Sequence, residues 1–169
     1  IRMGGKIEAL PPAPPRNGSA LDTIAWSLKM RWWAYRNTSS AGPGPQVKMF
    51  LIYFDPAKYN QLAHSTGLQK GLIGRVNLFA NISMAKQNNV VIAHEFLHTL
   101  GASDKYDPAT NQPIYPDGYA NPDLRPLLPQ HFAEIMAGRI PLSRTDAEIP
   151  PSLEDALIGI KTAQEINWM

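Results

Sequence analysis

The sequence contains no cysteine, so disulfides contribute nothing to its stability and its redox compartment stays undetermined. Charge of either sign is scarce. Sixteen Lys and Arg against 14 Asp and Glu leave a formal +2, too little to argue for nucleic acid or a membrane surface as partner. No apolar run approaches the length of a membrane span, and there is no internal repeat. What the chain does have is proline and glycine, 16 and 12 of them, which indicate long ordered loops. With 169 residues at 44 % hydrophobic content, one sizeable core and one domain are expected. The chain starts at Ile1 rather than Met, the mark expected of a processed or trimmed piece.

The most informative stretch runs from Val90 to Asp107 and contains His94-Glu95-x-x-His98, Gly101 and Asp104. Residues four apart share one helix face, so His94 and His98 aim both imidazoles at one point. Two neutral imidazoles, a carboxylate and an open fourth position make a catalytic zinc site. Glu95 is placed to work on the metal's water rather than on the metal. Gly101 accepts the left-handed backbone that ends a helix, and that turn brings Asp104 back as third ligand. Val90, Val91, Ile92, Ala93, Phe96, Leu97 and Leu100 make the helix mostly apolar, as expected of one buried in a domain.

This pattern resembles the extended zinc motif of the metzincin metallopeptidases, in the variant whose third ligand is Asp. It looks most like the snapalysin-like bacterial proteases, and immune-inhibitor-A-like peptidases show a related run. Glu134-Ile135-Met136-Ala137-Gly138 resembles the Met-turn that lies beneath the metal, with Met136 packing rather than ligating. The resemblance implies an α/β (α+β) zincin fold. Its parts are a twisted, mostly parallel sheet with an antiparallel edge strand, a backing helix, an active-site helix, and a C-terminal helix after the Met-turn. It also implies a secreted or periplasmic setting. Tyr106 follows Asp104 by two residues, as in the snapalysin-like pattern, and its phenol is a candidate donor to the oxyanion; a half-buried plug is the alternative.

In chain order, residues 1–18 are expected as an extended Pro-rich arm, and 19–169 as a single zinc peptidase domain. The arm reads either as a linker or pro-segment remnant, or as a terminal segment lying on the surface. Ser19 or Asp22 caps a helix to about Arg36, with Leu21, Ile24, Ala25, Leu28, Trp32 and Tyr35 as its core stripe. Residues 37–46 read as loop and 47–54 as a buried strand. The segment 58–70 is ambiguous and holds His64, which reads as a surface or satisfied side chain, with substrate contact as the alternative. Residues 71–82 alternate like a strand with one wet face. By the resemblance, Arg75 to Asn81 is the sheet edge that pairs with extended peptide substrate; an internal strand is the other reading. Asp107, Asp117 and Asp123 offer oxygens for a structural calcium, though their spacing matches no ordered calcium loop. Gln130 to Gly138 starts as a short helix. Within it Glu134 is a rival third ligand and His131 an outsider, but the Gly101–Asp104 spacing favours Asp104. Ser152 to Asp155 reads as the capped start of a last helix to about Asn167, with Leu153, Ala156, Leu157, Ile160, Ala163 and Ile166 on one face.

The function expected is a monomeric zinc endopeptidase in which Glu95 takes the proton of the attacking water and returns it to the leaving amine. Two alternatives stand beside it: a zinc-containing peptide-binding module, or a latent, narrowly specific processing protease. Without cysteine, such latency needs a group other than a thiol on the metal. The resemblance puts the pocket for the residue after the cut near Gly138 to Arg144, where Arg139 and Arg144 hint at an acidic preference.

Overall fold

The computed structural model of the chain describes residues 5–15, 19–38 and 47–169. Most of the loop expected at 37–46 and both ends of the Pro-rich arm lie outside those residues. The described part of the arm is extended, and Pro12 accepts a 3.0 Å hydrogen bond from the Trp26 indole.

Helix α1 spans Ala20–Asn37, and Ser19 caps it by accepting from the Asp22 N–H. Its core face is not the expected stripe. Trp26, Met30 and Ala34 are buried and pack with Trp33 against Phe50, Leu68 and Ile73, whereas Leu21, Ile24, Ala25, Leu28, Trp32 and Tyr35 are exposed. The helix carries two apolar faces half a turn apart, so periodicity alone does not choose between them. Bulk and contact geometry decide it: Trp33 packs edge-on against Phe50, with ring centres 4.9 Å apart.

Strands β1 (Lys48–Phe54), β2 (Thr66–Leu68) and β3 (Ile73–Phe79) form a sheet of order β1-β3-β2. β1 runs parallel to β3 and β2 antiparallel to it. The free edge expected at Arg75 to Asn81 is therefore not an edge. β3 lies in the middle, and beyond the β2 ladder Asn77 is bonded to Ser65, Ala63 and His64. The ambiguous segment 58–70 supplies the outer strand instead. Neighbouring strand residues face opposite sides, so Leu68 meets α1 while Gly67 meets helix α2 (Ala85–Leu100). The sheet thus lies between two helices.

After α2 the chain runs in turns to four short strands. β4 (Ala133–Glu134) pairs in parallel with β7 (Ala156–Leu157), and β5 (Ile140–Pro141) pairs antiparallel with β6 (Ala147–Glu148). The short helix expected from Gln130 is absent. The Gln130 side chain instead bonds the backbone of Asn121 and Leu127, and the chain enters β4 directly. The last helix is also shorter than expected. Ser152 caps only a single 3-10 turn, Ala156–Leu157 is used as β7, and α3 covers only Ile160–Glu165. Backbone pairing with β4 consumes the first half of the expected helix, so Leu153, Leu157 and Ile160 are exposed. A second core gathers Leu97, Ala102, Ile135 and Met136 beneath α2. The result is a mixed α+β domain, and among the described residues no helix is long and apolar enough to cross a membrane.

Candidate metal centre

Helix α2 ends as its sequence requires. Gly101 adopts φ 111°, and the Gly101 and Ala102 N–H groups return to the His98 and Leu97 carbonyls. That reversal sends the chain back across the helix end and sets Asp104 beside the two histidines. Asp104 Oδ1 lies 3.2 Å from His94 Nε2 and 3.1 Å from His98 Nε2, and the two Nε2 atoms are 3.1 Å apart.

The second nitrogens fix the tautomers. His94 Nδ1 lies 2.9 Å from the Ile135 carbonyl and His98 Nδ1 2.8 Å from the Ala102 carbonyl. A carbonyl oxygen only accepts, so both Nδ1 atoms carry hydrogen and both Nε2 lone pairs face Asp104. Three acceptors meeting at 3.1–3.2 Å repel one another unless a cation joins them. A tetrahedral ion with bonds of about 2.0–2.1 Å holds its donors about 3.3 Å apart. The triangle fits that size, and His94, His98 and Asp104 are the metal-competent group among the described residues.

The electrostatics follow. For Asp104, burial works against the charged form, but when no cation is bound, protonated His94 and His98 would hydrogen-bond it and, with their positive charge, hold the carboxyl well below the usual range. Burial likewise opposes a charged His98, yet Asp104, the Ala102 carbonyl and Glu95 together raise its pKa.

Glu95 lies beside this group without being one of its three members. Its side chain is buried, its Oε2 has no hydrogen-bond partner, and the Gly67 N–H of β2 donates to the carboxylate. Burial pushes the Glu95 carboxyl up; the Asp104 charge adds to this, while His94, His98 and Gly67 oppose it. Tyr106 is half-buried, and burial followed by the charges of Asp104 and Glu95 raises its phenol pKa. The phenol therefore sits in the field of both carboxylates.

The rival ligand is occupied. Glu134 is fully buried, with Oε2 accepting from the Met136 and Ala137 N–H groups and Oε1 from the Gly159 N–H and the Thr162 hydroxyl. It ties the 135–138 turn to the start of α3. His64 and His131 are exposed and outside the group. Asp107, Asp117 and Asp123 do not converge either; Asp107 instead accepts from the Ala109 N–H in its own turn. Arg139 donates to the Ala147 carbonyl, while Arg144 is exposed.

Three supports escaped the sequence reading. A Cβ on Gly67 would collide with the Glu95 backbone carbonyl and come within 2.6 Å of His98 Cβ, so only glycine lets β2 approach α2. Lys105, also buried, donates to the Ser103 carbonyl and to Glu165 Oε2 at 2.7 Å, and thereby holds the segment carrying Asp104 onto α3. The Ile135 carbonyl orients His94. Each joins residues far apart in the chain and carries no local signal. Compared with protein-family models, curated proteins and solved structures, the chain shows no match.

Proposed function

We propose that this chain is a metal-dependent endopeptidase of metzincin type, with zinc as the ion held by His94, His98 and Asp104. The observation that carries the reading is the triangle of lone pairs at 3.1–3.2 Å, with an unpaired buried carboxylate oxygen of Glu95 next to it. Metal binding alone needs the triangle and gives no reason to bury a further carboxylate there.

When bound, the ion supplies a Lewis acid that makes water a better nucleophile and polarises a carbonyl. Glu95 supplies the proton transfers. Burial raises its proton affinity towards that of a useful general base, while the Gly67 backbone favours the charged form. It takes a proton as water adds to the scissile carbonyl and hands it to the departing amine. Tyr106, whose phenol is protonated at neutral pH and pushed further that way by burial and the two carboxylates, suits a donor to the oxyanion of the tetrahedral intermediate. The outer edge of β2 takes over the peptide-pairing role first assigned to Arg75–Asn81, because β2 is outermost and its Gly67 abuts Glu95. Met136 is buried with Leu97, Ala102 and Ile135, and in this reading it has the packing role of a Met-turn methionine.

The test is cleavage of an unstructured peptide library by zinc-loaded protein. Cleavage is expected to disappear with chelator and in Glu95→Gln. Tyr106→Phe should lose about tenfold or more in kcat with metal content unchanged. Undiminished cleavage by Glu95→Gln would overturn the assignment.

A further inference from the structure

On the side of α1 away from the sheet, Leu21, Ile24, Leu28, Trp32 and Tyr35 form one continuous stripe, each between 57 % and 78 % exposed. At 100° per residue it lies half a turn from Trp26, Met30 and Ala34. Together these side chains present on the order of 700 Å² of mostly apolar surface, more than the largest patch on a typical monomer. That is close to one partner's share, about 800 Å², of a standard protein interface.

The pattern is also its own mirror. Leu21 and Tyr35 lie seven residues on either side of Leu28, and Ile24 and Trp32 lie four residues on either side. A two-fold axis requires this kind of self-complementary surface, in which residue i meets j and j meets i. Antiparallel pairing about Leu28 sets Leu28 on Leu28, Ile24 on Trp32 and Leu21 on Tyr35. It also brings the first turn, with Asp22, towards the partner's last turn, with Arg36, and opposes the two helix dipoles. The Arg36 guanidinium lies 4.9 Å from the centre of the Trp32 ring, so the charge already rests against the stripe.

We propose that α1 pairs antiparallel with α1 of a second copy, forming a homodimer with its axis at Leu28, in place of the monomer expected from sequence. The metal centre is on α2, across the sheet, so the dimer leaves both centres open. The pairing is independent of what those centres do.

Sedimentation velocity on the metal-loaded protein tests it. The wild type is expected to sediment as a dimer. Leu28→Glu should weaken the dimer by at least about thirty-fold, with the far-ultraviolet circular dichroism and metal content unchanged, because Leu28 is already exposed in the single chain. The absence of cysteine permits a test of register. Leu28→Cys should cross-link to itself on mild oxidation. Ile24→Cys should not, yet it should cross-link when mixed with Trp32→Cys. A wild type that stays monomeric at its highest soluble concentration overturns the proposal, as does a dimer indifferent to Leu28→Glu. Efficient self-linking of Ile24→Cys would replace the antiparallel register. A monomer that floats with anionic vesicles through this stripe would assign the face to lipid and likewise overturn the pairing.

Discussion

Replacing Glu134 by Gln separates a structural carboxylate from a metal ligand. The native side chain is fully buried and accepts four hydrogen bonds: from Met136 N at 2.7 Å, Ala137 N at 3.1 Å, Gly159 N at 3.1 Å and Thr162 Oγ1 at 2.6 Å. Gln must place an NH2 group on one side of this set. Towards Met136 and Ala137 it faces two donors. Towards Thr162 the hydroxyl can turn and accept, which leaves the half-buried Gly159 N–H as the single donor without a partner. The cheaper arrangement therefore costs about 2–3 kcal/mol, one half-buried donor left unsatisfied plus the lost charge assistance to the buried carboxylate. For a chain of this size that is a Tm lower by about 5–10 °C. Glu134→Ala strips the Met136 and Gly159 donors completely and opens a cavity, at about 4–6 kcal/mol, comparable to the whole stability of a small domain. Thermal unfolding followed by circular dichroism, with metal analysis of the same samples, is the assay. Glu134→Gln should melt lower and still bind one metal ion. An unchanged Tm would refute the reasoning. A variant that lost its metal while Asp104→Asn kept it would make Glu134 the third ligand.

Other perturbations probe the supports of the site. Gly67→Ala forces a methyl group against the backbone of α2, which cannot yield as a side chain would; urea unfolding should show a loss of about 3 kcal/mol or an unfolded product. Burial works against a charged Glu165, but Lys105 and Ser103 hold its pKa below the ordinary value. Its contribution is therefore complete above the unfolded carboxyl pKa, about 4.3, and disappears as pH falls from there through the lower folded value. Glu165→Gln should be less stable than wild type at pH 7, where it leaves the Lys105 ammonium buried without its counter-charge. Its stability should fall less steeply below pH 4–5, and parallel acid profiles for the two proteins would refute the pairing.

How much was legible in the sequence tracks how local each feature is. His94, Glu95, His98, Gly101 and Asp104 lie within 11 residues. Helix spacing and one left-handed glycine are enough to bring His94, His98 and Asp104 together, and the structure does so at 3.1–3.2 Å. Ser19 as a cap and the strand to Phe54 were readable for the same reason, although that strand is not the buried one expected: only Ile52 is buried, and Leu51 and Tyr53 are exposed. The errors arise where distant parts of the chain compete. α1 has two apolar faces, and contacts from Phe50, Leu68 and Ile73 pick the one with Trp26 and Met30. The alternation around Arg75 marks a strand correctly but not its surroundings: neither face of β3 is exposed, where one wet face was expected, and β2 takes the outer place. The cap at Ser152 is real, yet β4 recruits Ala156 and Leu157 before a helix can propagate. Gly67, Lys105–Glu165 and the Glu134 network connect segments dozens of residues apart, so no local pattern announces them.

His94, His98 and Asp104 are the three side chains proposed to hold one ion. Calorimetric titration of zinc into metal-free wild type, Asp104→Ala and Glu95→Gln measures this directly. One site per chain is expected in the wild type and in Glu95→Gln, with affinity lower by at least about 100-fold in Asp104→Ala. Wild-type affinity in Asp104→Ala would contradict the metal centre described here.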